Sequence, residues 1–147
     1  MLEPLLARLE DGARTALEIG LARAGECGDQ FFGTEHLLLG VLAEPSTRVA
    51  QTLRSIACDP ELLRAELLAS MRCAPPRTSQ AHVPFTPKVL NVLAAANDAA
   101  RELGAERIAV EHLLLGMLGE PTTLAGRALA ACNVEREKVL AALRARR

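Results

Sequence analysis

Gly33 to Pro45 reads G-T-E-H-L-L-L-G-V-L-A-E-P, and Ala109 to Pro121 reads A-V-E-H-L-L-L-G-M-L-G-E-P. Each word sets a Glu-His pair at the head of a leucine run. Leu37, Leu38, Val41 and Leu42 fall on one helical face, as do Leu113, Leu114, Met117 and Leu118. Glu44-Pro45 and Glu120-Pro121 end the runs, because proline cannot donate to a helical ladder and disfavours helix in the residue before it. A helix of about ten residues does not persist alone, so packing must hold both.

Working outward, a shift of 76 positions takes Leu17 onto Leu93, Gly28 onto Gly104, Leu53 onto Leu129 and Asp59 onto Glu135, with no gap. Apolar positions and helix punctuation coincide together, which marks an internal duplication. The boundaries read as repeat one at about 5–72, a Pro- and Ser-containing linker at about 73–84 and repeat two at about 85–145, within a single domain 1–147. Each copy reads as about four helices. Thr86-Pro87 opens one, with threonine as N-cap and proline at the first helical position, and Gly104 stops it. Its counterpart is expected from about Leu5 to Ala24. Third helices are expected near Ser46-Thr47 and Thr122-Thr123, and fourth helices at Asp59-Pro60-Glu61 and Asn133-Val134-Glu135. No stretch alternates as a strand. The expected fold is all-α, about eight helices forming two pseudo-two-fold-related four-helix repeats.

The composition narrows the function. Half of the residues are hydrophobic (50%), enough for a packed core, yet there are only three Phe and no Trp or Tyr. A net charge of -1 with so few aromatics gives neither a basic stripe nor stacking platforms, which argues against nucleic acid. No apolar run approaches the ~20 residues of a membrane-spanning helix. Met1-Leu2-Glu3-Pro4 lacks the basic start of a secretory signal, so a soluble cytoplasmic protein is expected. Cys27, Cys58, Cys73 and Cys132 include no C-x-x-C pair and read as reduced, mostly buried thiols.

No phosphate-binding loop, nucleophile elbow or H-E-x-x-H word is present, and His36, His82 and His112 have no cysteine at metal-finger spacing. Neither a cofactor nor a metal is expected. The Glu-His pairs admit three readings. As an enzyme, Glu35 and Glu111 would share general acid and base work with His36 and His112 assisting, which needs one cleft joining both pairs. As helix starts, Thr34 would be the N-cap, Glu35 would sit in the first turn for ~0.3–1 kcal/mol from the helix dipole, and His36 would tie down a neighbouring loop. As binding sites, each exposed carboxylate would take a guanidinium or ammonium group while the nearby helix N–H groups suit an anion. A ligand carrying both signs fits best.

The doubled E-H-L-L-L-G words, Gly33-Thr34 before the first, and Pro84-Phe85-Thr86-Pro87 at the head of the second copy resemble the Clp N-terminal repeat domain, closest to its ClpC branch. The resemblance covers essentially the whole chain. It implies a non-enzymatic docking module that receives adaptor proteins, substrate proteins or peptides, and Clp ATPase or protease subunits. In the ClpC branch it also implies recognition of phosphoarginine, with Glu35 and Glu111 gripping the guanidinium and Thr34 beside the first. It further implies a surface for cyclic-peptide antibiotics that includes Phe85 and a nearby basic residue, Lys88.

The chain departs from that pattern. Val110 stands where the second word should carry threonine, and Leu9-Glu10-Asp11-Gly12 stands where the first copy should open with an aromatic and a threonine. Glu10 and Asp11 add negative charge where a phosphate would lie. The closing helix ends in Arg144, Arg146 and Arg147, which suits the dipole. The chain reads either as the front end of an unfoldase or as a free-standing module, which would compete for adaptors and substrates, dock onto the protease machinery or sequester a peptide antibiotic.

Overall fold

The structure is a computed structural model that describes residues 2–26, 31–71 and 84–145. Cys27, Cys73, His82 and all of the expected linker except Pro84 lie outside the described residues. Among the described residues there are nine helices: α1 Leu2–Ala7, α2 Asp11–Glu26, α3 Thr34–Ala43, α4 Arg48–Ser55, α5 Pro60–Ser70, α6 Pro87–Glu102, α7 Val110–Leu118, α8 Leu124–Ala131 and α9 Arg136–Ala145. The fold is all-α.

The ninth helix comes from a break. The segment expected to run as one helix from Leu5 to Ala24 straightens at Arg8-Leu9-Glu10, because its backbone is spent elsewhere. Ile108 N–H donates to the Arg8 carbonyl and Glu10 N–H to the Ile108 carbonyl, both at 2.8 Å. Leu9 is buried there, so the apolar residue that looked like part of a helical face pins an extended link.

That link has a twin. Phe32 N–H donates to the Pro84 carbonyl at 2.8 Å, and Thr86 N–H to the Phe32 carbonyl at 3.0 Å. Arg8, Glu10 and Ile108 correspond to Pro84, Thr86 and Phe32 under the shift of 76. Each copy lends its entry strand to the loop before the other copy's leucine helix. This reciprocal exchange is what a two-fold relation requires: position i meets j of the partner copy, and j meets i.

Within each copy the leucine helix lies against the long helix before it, α3 on α2 and α7 on α6. The glycine of each E-H-L-L-L-G word sets the approach. A Cβ at Gly40 would strike the Ala16 carbonyl, and one at Gly116 the Val92 carbonyl, an equivalent pair of collisions. Ala13, Ala16, Ala96 and Ala100 are fully buried on α2 and α6, so small side chains let these helices close while Leu37, Leu38, Leu113, Leu114 and Met117 fill the centre. α3 also meets α7 and α5 meets α8, which joins the copies through one continuous core.

The punctuation is partly as expected. Thr86 Oγ1 accepts from Val89 N–H at 3.3 Å, Asp59 Oδ1 from Glu61 N–H at 2.9 Å, and Gly104 takes φ 73 just past α6. Asn133 does not open a helix. It takes φ 59 just beyond α8, with Ala57 in the equivalent place past α4 at φ 62, and α9 starts only at Arg136. Cys58 is a buried free thiol, its pKa raised to about 11 by burial first and then by nearby Cys132 and Asp59; Cys132 is half-buried, free and also shifted upward by burial. Among the described residues no helix is long and apolar enough to cross a membrane.

Candidate functional site: two grooves at the Glu-His helix starts

The two histidines are helix caps. Gly33 N–H donates to His36 Nδ1 at 2.9 Å, and Ala109 N–H donates to His112 Nδ1 at 2.8 Å. This is the backward half of a capping box, with imidazole in the role usually held by Glu or Gln. Neither Gly33 nor Ala109 has a side-chain oxygen for the forward half. The N-cap is therefore Gly33 and not Thr34, whose side chain is buried inside the first turn at 3% exposure. Val110, fully buried at the equivalent place, costs the second helix no cap. An accepting Nδ1 must be unprotonated. Burial pushes the His112 pKa below its usual value, against the Glu111 charge and with help from Arg48.

With histidine turned inward, the glutamate is left for the surface. Glu35 and Glu111 both occupy the first turn, and each lies in a groove. The Glu35 groove encloses about 420 Å³ and is lined by Phe31, Gly33, Thr34 and His36 at the start of α3, Thr86 and Lys88 at the start of α6, and Thr123 and Leu124 at the start of α8. The Glu111 groove encloses about 580 Å³, and its lining includes Ala109, His112, Arg107, Glu10 and Arg48. These five correspond to Gly33, His36, Phe31, Thr86 and Leu124, so one groove is the image of the other. Both volumes suit a small ligand or a side chain. They share no lining residue, so the joint cleft required by an acid–base enzyme is not formed among the described residues.

The grooves differ in charge. Three helix N-termini open onto the first, where unpaired N–H groups and the helix dipoles favour an anion. Glu35 is half-exposed and forms no ion pair among the described residues, and Phe31 stands beside it 54% exposed. Lys88 is held by Glu120 at 3.0 Å. In the second groove Arg48 Nη2 lies 2.9 Å from Glu111 Oε2, and Arg48 Nη1 lies 3.0 Å from Glu10 Oε1. Glu111 is only 8% exposed, and its Oε1 has no hydrogen-bond partner among the described residues.

Phe85 is half-buried with its ring 4.9 Å from that of Phe32, so only part of its apolar face is offered outward. Of the expected site residues, the structure therefore gathers Glu35, Thr34, His36 and Lys88 in one groove, Glu111 and His112 in the other, and sets Phe85 within the crossing segment, between Pro84 and Thr86. Arg48, Phe31 and Thr123 were not legible as site residues. The signal was present in the shift of 76, which sets Arg48 against Leu124 and Phe31 against Arg107.

The family model of the Clp repeat (R) N-terminal domain matches residues 8–132 and again 84–145. The negative regulator of genetic competence ClpC/MecB of Bacillus subtilis is 28% identical over 140 residues, which are 92% of this chain and 17% of that protein. The N-terminal domain of the chaperone ClpD from Arabidopsis thaliana superposes with a TM-score of 0.70 at 23% identity, covering 95% of this chain and 97% of that one. A ClpV N-domain solved in complex with a VipB peptide gives 0.74 at 18% identity, covering 97% and 92%. The chain spans 13–17% of the length of the curated relatives it matches. With the doubled helix start, its reciprocal strands and the family pattern falling on the same residues, the chain belongs to the Clp repeat (R) N-terminal domain family.

Proposed function

We propose that this chain is a protein- and peptide-recognition domain of the Clp system, one domain of two repeats bounded as the sequence suggests. It receives adaptor or substrate segments in the Glu35 groove. The observation that carries this reading is the convergence of three helix N-termini on a carboxylate that has no ion-pair partner among the described residues. Such a place offers donors to an anion and an acceptor to a cation within one side chain's length. Phosphoarginine carries both charges on one planar group, and exposed Phe31 gives the neighbouring ligand residue an apolar seat. The peptide held by the ClpV N-domain is support by analogy of fold. Half-buried Thr86 and buried Thr123 do not add free hydroxyls, because each already caps its own helix.

Calorimetry with a phosphoarginine peptide, its unphosphorylated counterpart and a scrambled control tests the reading. Binding of the phosphoarginine peptide that Glu35→Gln abolishes is expected. Binding indifferent to Glu35→Gln would sink the groove assignment, and preference for the unmodified peptide would remove phosphoarginine while leaving peptide recognition in place.

A further inference from the structure

The structure assigns Arg48 as a built-in ligand of Glu111, so that the chain recognises ligands at one groove while the carboxylate of the other is already held by its own guanidinium. The inference rests on the reading of the Glu35 groove as the ligand site. Arg48 opens α4, and its two terminal nitrogens meet Glu111 Oε2 of the other copy and Glu10 Oε1 of its own at 2.9 and 3.0 Å. A guanidinium clasped between two carboxylates is the chemistry expected of an arginine ligand, here supplied from within.

The clasp belongs to one groove alone. At the positions equivalent to Arg48 and Glu10 the Glu35 groove has Leu124 and Thr86, neither charged. The backbone differs as well: Thr47 precedes Arg48 at φ 56, whereas its equivalent Thr123 sits at φ -77 and caps α8. Glu111 Oε1 is buried and has no partner among the described residues, so the carboxylate that could hold a forked guanidinium with both oxygens holds Arg48 with one. A second donor is therefore still accommodated when Arg48 is removed. Two flanking carboxylates also select against a phosphorylated guanidinium, which gives the grooves opposite preferences.

Thermal melts of Arg48→Ala with and without n-propylguanidinium test this directly. The small cation is expected to raise the melting temperature of Arg48→Ala saturably, to leave the unsubstituted protein unchanged, and to lose its effect in Arg48→Ala/Glu111→Gln. Equal response of both proteins, or none in Arg48→Ala, overturns the assignment. Should Arg48→Ala not fold, side-chain NMR of the intact protein decides: Arg48 should show hindered guanidinium rotation that Glu111→Gln releases, and free rotation overturns the assignment. Peptide stoichiometry separates the two ideas. One peptide per chain, lost with Glu35→Gln, agrees with both. Two per chain, the second lost with Glu111→Gln, overturns the internal ligand and leaves the peptide reading standing. Peptide binding untouched by Glu35→Gln fells the peptide reading, and n-propylguanidinium still decides on Arg48.

Discussion

Arg48 and Glu111 meet across the boundary between the two copies, Nη2 to Oε2 at 2.9 Å, with the carboxylate buried and the guanidinium reaching in from the surface. Their value to the fold is asymmetric. Removing the arginine leaves a buried charge with neither oxygen satisfied, whereas removing the charge leaves an arginine that solvent can hydrate. Arg48→Ala should therefore cost roughly 1–3 kcal/mol by urea unfolding. Arg48→Ala/Glu111→Gln should recover part of that loss. Additive losses in the double variant would show that the pair is not coupled.

His112 sets a pH dependence. Its folded pKa is depressed below 6.5, and its Nδ1 must stay unprotonated to accept from Ala109 N–H. Well above pH 6.5 the ring is neutral in both folded and unfolded chains, and its full contribution to stability is present. As pH falls below that value the unfolded chain takes the proton first, and stability declines until the folded pKa is passed. Denaturation between pH 7.5 and 5 should show this decline, at no more than about 1.4 kcal/mol per pH unit from one proton. His112→Gln should flatten that part of the curve, and an unchanged slope would refute the assignment.

The close approach of the paired helices makes a third expectation. A methyl at Gly116 meets the Val92 carbonyl, and backbone cannot swing away as a side-chain tip can. Gly116→Ala should cost about 2–3 kcal/mol through separation of α6 and α7. Gly40→Ala, facing the Ala16 carbonyl, should do the same to α2 and α3. Neutral effects in guanidinium unfolding would mean that these glycines serve some purpose other than packing.

What the sequence disclosed followed from local chemistry. The helical repeat of leucines, the Asp59-Pro60 and Thr86-Pro87 starts and the Gly104 stop each reflect a preference that a few neighbouring residues decide, and they stand in the structure. What it concealed depends on the other copy. Nothing near Leu9 signals an extended link, because its partner is Ile108. Thr34 has the composition of a cap, but the backward bond from Gly33 N–H to His36 moves the cap one place earlier. Glu35 and Glu111 look alike in sequence, and the long reach of Arg48, which no local pattern signals, helps to make them unlike.

The ends of α4 and α8 differ by one residue whose consequence is measurable. Ala57 and Asn133 both hold left-handed backbone, at φ 62 and φ 59, and both are exposed, so neither side chain contributes core packing. The left-handed region crowds the alanine Cβ at roughly 1–2 kcal/mol, and asparagine tolerates it better. Glycine removes the clash but gives up about 0.5–1 kcal/mol through greater freedom of the unfolded chain. Ala57→Gly should accordingly gain up to about 1 kcal/mol, with Ala57→Asn close behind, and Asn133→Ala should lose a similar amount. Urea midpoints at unchanged slope would establish all three. A loss on Ala57→Gly would show that the strain at this turn is relieved in solution, and that the two copies end these helices differently.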